Sequence, residues 1–369
     1  MKVLIAPNAF KGTLSASEAA SILSEFILEQ YPSASIDSIP IGDGGDGTCE
    51  LLTDFLNLEK IAAWSLDALG RPVFAFYGLD VSSRTIYLDV SSASGITHLK
   101  LDELNPRVAS TFGTGLLIKD SLKYGIKNVV LGLGGSASID LGFGILQGLG
   151  FEFLDQLGRA ILPFSDHLLS NSAHIQRSPK IPELSFQFLC DVNNPFFGEN
   201  GAIPVFGPQK GLISEAIKEF EKDSERVIQL LYKKGQKNFV DQAGFGAAGG
   251  IALGLSAFFS SEINFGASFF FDQVKMEKAV AQADMILTGE GRFDGQSLGG
   301  KGCFELLQLA KKFSKPIQII TSGDEAYEYG FQEVIQLPDL DFSKPDFQET
   351  AKEQFKNTIK NKLRIYTRR

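Results

Sequence analysis

Short apolar runs that break into glycine-rich loops recur along this chain, and they constrain its fold more than any other feature. Five such loops carry charged residues: Pro7–Ser15, Gly42–Thr48, Gly132–Asp140, Cys190–Pro195 and Thr288–Lys301. Most follow a run that reads as a strand. Lys2–Ala6 is continuously apolar, as a strand buried on both faces should be. Ser35–Ile41, Asn128–Leu133, Phe186–Leu189, Ala283–Thr288, Pro316–Thr321 and Glu333–Leu337 read the same way. Helical spacing lies between them. Ser15 with Glu18 three residues on forms a capping box, and Ala19, Ile22, Leu23, Phe26 and Ile27 then recur at helical intervals. Further helices are expected from Glu50 and over Leu212–Leu231 and Phe304–Phe313. Strands alternating with helices predict an α/β fold with parallel sheets and right-handed crossovers.

The two chain ends share this layout, whereas the middle has β-rich stretches such as Val73–Tyr77 and Thr85–Asp89. That pattern predicts a Rossmann-like parallel-sheet domain built from residues 1–63 and 281–369. An α/β domain of residues 64–280 is inserted between them. Residues 242–261 carry no charge but contain five glycines, which suits a buried loop entering a helix better than a membrane span. The formal net charge of −9 argues against a nucleic-acid surface, which needs clustered cations. Cys49, Cys190 and Cys303 are odd in number and widely spaced, which points to a reducing, cytoplasmic setting without a disulfide framework. From Ala351 to Arg369, seven Lys/Arg stand against one Glu, as on a solvated helix end or an interaction tail.

Ligands of open parallel sheets bind beyond the carboxyl ends of strands, where these loops are expected. Lys11 can reach a phosphate or carboxylate there, or be an ordinary surface lysine. Asp43 and Asp46, among Gly44, Gly45 and Gly47, can hold Mg²⁺ or substrate hydroxyls, or simply occupy turn positions. Gly134, Gly135 and Ser136 can present N–H groups to an anion, although close strand–helix packing also selects glycine. Asp191, followed by Asn193 and Asn194, can take a proton from a hydroxyl nucleophile or form an Asx turn. The run Gly295–Gly302 nearly matches a Walker A loop, but Gly302 stands where Ser or Thr would hold Mg²⁺. Arg292 and Lys301 can still bind phosphate oxygens. His98, His167 and His174 lack metal-ligand spacing, and no Gly-x-Ser-x-Gly elbow is present.

Six segments in order resemble the glycerate kinase family: Ala6–Ala16, Asp43–Thr48, Gly132–Ala137, Cys190–Pro195, Gly244–Gly250 and Thr288–Asp294. The resemblance implies two α/β domains with the active-site cleft between them. It also implies ATP- and Mg²⁺-dependent phosphorylation of D-glycerate to 2-phospho-D-glycerate. On that basis the expected catalytic residues are Asp191 and Lys11. Asp43, Gly44, Gly45, Asp46 and Asn193 would meet substrate. Gly134, Gly135, Ser136, Thr288, Glu290, Arg292 and Lys301 would meet the nucleotide; no residue is assigned to the metal. The protein is expected to act on small molecules, away from nucleic acid and membrane, as a monomer or homodimer. The alternatives are a kinase for another small hydroxy acid or polyol, and a non-catalytic nucleotide-binding regulator. Family members often carry Asp, Glu and Asn where this chain has Asn8, Asp46 and Ile139.

Overall fold

The computed structural model describes residues 1–364, apart from residues 11, 167, 296 and 298–300. Its strands are β1 (Lys2–Ile5), β2 (Ser35–Ser38), β3 (Glu59–Leu66), β4 (Pro72–Asp80), β5 (Thr85–Asp89), β6 (Asn128–Gly132), β7 (Phe151–Leu154), β8 (His174–Arg177), β9 (Ser185–Cys190), β10 (Ser260–Phe265), β11 (Met285–Arg292), β12 (Ile317–Ser322) and β13 (Glu333–Gln336). They fall into two compact units, residues 1–43 with 266–369, and residues 44–265.

The first unit carries a wholly parallel sheet in the order β13-β12-β11-β1-β2. Strand order reverses between β1 and β11. The chain leaves β1 toward β2 on one side and β11 toward β12 on the other, so right-handed crossovers place their helices on opposite faces. On one face Ala16–Gln30 packs with Phe347–Lys362. Val3, Ile5, Leu23, Ile27, Phe355 and Ile359 form a common core there. Ser15 caps the first of these helices: its hydroxyl accepts the Glu18 N–H at 3.2 Å, and the Glu18 carboxylate accepts the Ser15 N–H at 3.1 Å. Gly302–Lys312 packs with Gly266–Gln273 and Met276–Gln282. The crossover rule puts it on the opposite face.

The second unit has a mixed sheet in the order β10-β9-β6-β5-β4-β3. β5, β6, β9 and β10 run parallel, and β3 and β4 add an antiparallel edge. A two-stranded ribbon pairs β7 with β8. The helix Thr48–Phe55 lies on β4, β5 and β6. Its N-cap, Gly47, offers no side chain, and Asp89 at the end of β5 takes over that role. The Asp89 carboxylate accepts the N–H groups of Cys49 at 3.0 Å and Glu50 at 3.1 Å.

The units divide at 43/44 and 265/266, whereas 63/64 and 280/281 were expected. Pairing of β3 with β4 along its whole length assigns residues 59–66 to the second unit. Packing of Gly266–Gln273 and Met276–Gln282 on the helix after β11 assigns residues 266–282 to the first. A second correction concerns Thr288–Lys301. Gly289 to Arg292 still belong to β11, because β12 pairs alongside as far as Arg292 with Ser322, across one register shift. The expected helix over 212–231 runs instead over Ile217–Gly235. The uncharged stretch 242–261 folds into short turns and the helix Ile251–Ser256. Among the described residues no helix is long and apolar enough to cross a membrane.

Candidate functional site

In the first unit the site grows from the reversal of strand order. The loops after β1 and β11 leave opposite faces there and open a crevice beyond the strands' carboxyl ends. Asn8, just past β1, and Asp43 are both buried, and the Asn8 Nδ2 donates to Asp43 Oδ2 at 2.7 Å. An aspartate at position 8 would set two carboxylates against each other, whereas the Asn8 amide gives the Asp43 carboxylate a donor. Glu290, near the end of β11, is only 6% exposed. Burial, then the charge of Asp43, pushes its carboxyl up to about 7, while Lys301 opposes the shift. Ser297 Oγ donates to its Oε2 at 3.4 Å, and its Oε1 has no hydrogen-bond partner among the described residues.

These groups line one cleft of about 600 Å³ together with Arg292, Asp294 and Lys301. Arg292 is exposed and lies 3.7 Å from Glu325. Lys301 is the N-cap residue of Gly302–Lys312, where backbone N–H groups add to its charge. Thr288 does not join them. It is fully buried between strands, and its hydroxyl donates to the Ala6 carbonyl at 2.7 Å, which ties β11 to β1. Lys11 lies outside the described residues, as do four positions of the near-Walker loop.

In the second unit, three loops converge at the carboxyl ends of adjacent parallel strands. A Cβ on Gly134 would stand 2.3 Å from the Asp46 nitrogen, and one on Gly44 would stand 2.6 Å from the Cys190 carbonyl carbon. Backbone contact therefore explains both glycines. It also brings the loops after β6 and β9 against residues 44–46. The exposed Asp46 accepts a short hydrogen bond from Ser91 Oγ, just past β5. Gly134 and Gly135 are half-buried, and their N–H groups make no protein hydrogen bond among the described residues. Asp191 is half-buried directly after β9, and Asn193 is exposed.

Lys210 was not singled out in the sequence. It is 4% exposed, and its Nζ donates to Ser136 Oγ and to the Ser138 carbonyl, both at 2.8 Å. Burial lowers its ammonium to about 7, against the pull of Asp140. The serine hydroxyl of the glycine loop thus rests on a buried cation. Asp140 is itself satisfied by the N–H groups of Thr111, Gly142 and Gly144. Ile139 is 1% exposed within the main core, so its side chain fills space instead of facing a ligand. His98 is fixed through its Nε2 to the Ser91 carbonyl at 3.0 Å.

Comparison with known proteins bears on the whole chain. The sequence profile of the glycerate kinase family matches residues 3–367. A protein named glycerate kinase from Haemophilus influenzae is 34% identical over 377 residues, covering 99% of this chain and 98% of its own. One named glycerate 2-kinase from Escherichia coli is 34% identical over 320 residues, covering 86% of this chain and 84% of its own. A crystal structure of glycerate kinase 2 from Salmonella typhimurium LT2 superposes with a TM-score of 0.80 at 32% identity, covering 98% of this chain and 96% of that one.

Proposed function

The chain belongs to the glycerate kinase family and is a kinase, and from that premise we propose that it phosphorylates D-glycerate with ATP to give 2-phospho-D-glycerate. One observation carries the reading. On adjacent strands of the second unit, a glycine loop with unengaged N–H groups stands next to a strand-end aspartate. That pairs an anion cradle with a base.

The roles follow from charge. In phosphoryl transfer, positioning and neutralisation of developing charge do most of the work. The N–H groups of Gly134 and Gly135, with Ser136 held by Lys210, take phosphate oxygens. Arg292 and Lys301 supply further positive charge. Lys11, Asp43 and Asp46 hold the carboxylate and hydroxyls of glycerate, with Gly44, Gly45 and Asn193 shaping that end. Asp191 accepts the proton of the attacking hydroxyl as its oxygen bonds to the γ-phosphorus and the bond to the ADP oxygen breaks.

Among the described residues no three His, Cys, Asp or Glu side chains converge on a cation position. That donor set fits Mg²⁺ arriving on the nucleotide, because Mg²⁺ keeps phosphate oxygens and waters and takes only one or two carboxylates. Asp43, aligned by Asn8, is the carboxylate that would hold it. When bound it neutralises phosphate charge.

The test is ADP release with Mg·ATP, with and without D-glycerate, and phosphorus NMR of the product. Release that depends on glycerate, with a 2-phosphate resonance, is the expected result. Turnover only on another hydroxy acid or polyol would reassign the acceptor. ATP binding with no turnover on any acceptor would favour the regulator. Asp191→Asn should lower kcat by about 10²–10⁴-fold while leaving the thermal midpoint nearly unchanged. Wild-type turnover in that variant would remove the base from the mechanism.

A further inference from the structure

The cleft of the first unit is larger than a small hydroxy acid requires, and its lining combines cationic with apolar side chains. At about 600 Å³ it has the size of a cofactor or nucleotide pocket. Its lining includes Arg292 and Lys301, the latter at the N-terminus of Gly302–Lys312, which suits phosphate. It also includes Pro338, Leu340 and Phe342, from the segment that follows β13. Phe342 is 63% exposed at the cleft wall, with its ring tilted against Phe347 at 5.7 Å. Glycerate, all carboxylate and hydroxyl, has no surface to set against it, whereas a purine does. Glu290 lines the same cleft, nine-tenths buried, with its Oε1 unpartnered among the described residues. A buried polar atom without a partner costs stability unless a ligand supplies one.

We propose that this cleft is the nucleoside pocket, with the purine on Phe342 and a ribose hydroxyl donating to Glu290. The assignment rests on the kinase reading above, which supplies the nucleotide. It places base recognition wholly within the first unit.

The experiment is calorimetric titration of the full-length protein with ADP, 2′,3′-dideoxy-ADP and inorganic pyrophosphate. Phe342→Ala should weaken ADP about tenfold, the loss expected for one stacked base, and leave pyrophosphate binding as it was. Phe342 is exposed, so this variant should fold. At pH 8, where Glu290 is ionised, wild-type protein should bind ADP about tenfold more tightly than the dideoxy analogue, as for a hydrogen bond to a charged group. Glu290→Met should abolish that preference. If the wild type shows glycerate-dependent ADP release yet Phe342→Ala binds ADP unchanged, the pocket is misassigned and the kinase reading stands. If variants in the cleft raise the KM for glycerate and leave ADP binding alone, the cleft belongs to the acceptor. If the wild type neither binds ADP nor turns over, both readings fall.

Discussion

Glu290 and Lys210 are buried ionisable residues whose charges act on stability in opposite senses along the pH axis. Glu290 keeps its proton in the folded chain up to about pH 7, whereas the unfolded chain gives it up near 4.5. Between those values the folded state binds more protons, so its contribution falls as pH rises, by about 3 kcal/mol in all. Lys210 loses its proton in the folded chain near 7, against 10.5 when unfolded. There the unfolded state binds more protons, so stability rises with pH across that window. Denaturant unfolding at pH 5, 8 and 10 reads both. Glu290→Gln should gain on the wild type from pH 5 to 8, and Lys210→Met should lack the wild-type rise from pH 8 to 10. Parallel curves for wild type and variants would show that neither group titrates as its burial implies. Lys210 was not legible in the sequence. It sits in Gly207–Gly211 with no periodicity around it, and only tertiary packing brings it to Ser136. Glu290 was visible as a charge among glycines, but its burial and its unpaired oxygen were not.

At the scale of the element, glycine served two purposes that the sequence could not separate. Gly134 is an instance of close packing: its missing side chain lets the loop after β6 meet the backbone of residues 45 and 46. The packing reading therefore holds, and the N–H group, which makes no hydrogen bond among the described residues, can still serve the proposed anion cradle. Gly134→Ala should force these loops apart, costing about 1–3 kcal/mol, and should raise the KM for ATP. Thermal denaturation and initial rates measure both, and an unshifted midpoint would mean the loops can yield. Strand β1 and the helix after Ser15 were legible because an unbroken apolar run and a capping box are local signals. Strand β3 was not. Half of its residues, Glu59–Leu66, are exposed at a sheet edge, and their sequence carries only a faint alternation. The far half of β11 was hidden for another reason. Pairing with β12 outweighs the poor strand preference of Gly289 and Gly291.

Across the whole molecule, the two units depend differently on chain order. All six strands of the second unit's main sheet lie within residues 44–265, with a large core of their own. A fragment of residues 44–265 should therefore fold alone and melt cooperatively by circular dichroism. A fragment of residues 266–369 should not, because β11 would lack its partner β1. A non-cooperative melt for the first fragment would show that it relies on the rest of the chain. The alternation of strands and helices revealed the split at the chain ends, and the boundaries shifted because edge pairing and helix packing are not local properties.

The interleaving of the first unit also has a consequence during synthesis. β1 and β2 leave the ribosome well before β11, and β1 cannot gain that neighbour until residues 285–292 have emerged. At the usual rates of elongation that interval is on the order of tens of seconds. Throughout it, the apolar strand Lys2–Ile5 has one open side, while residues 44–265 can already collapse. The nascent chain therefore exposes an unpaired apolar edge for that whole interval, and a holding chaperone would have that edge to protect.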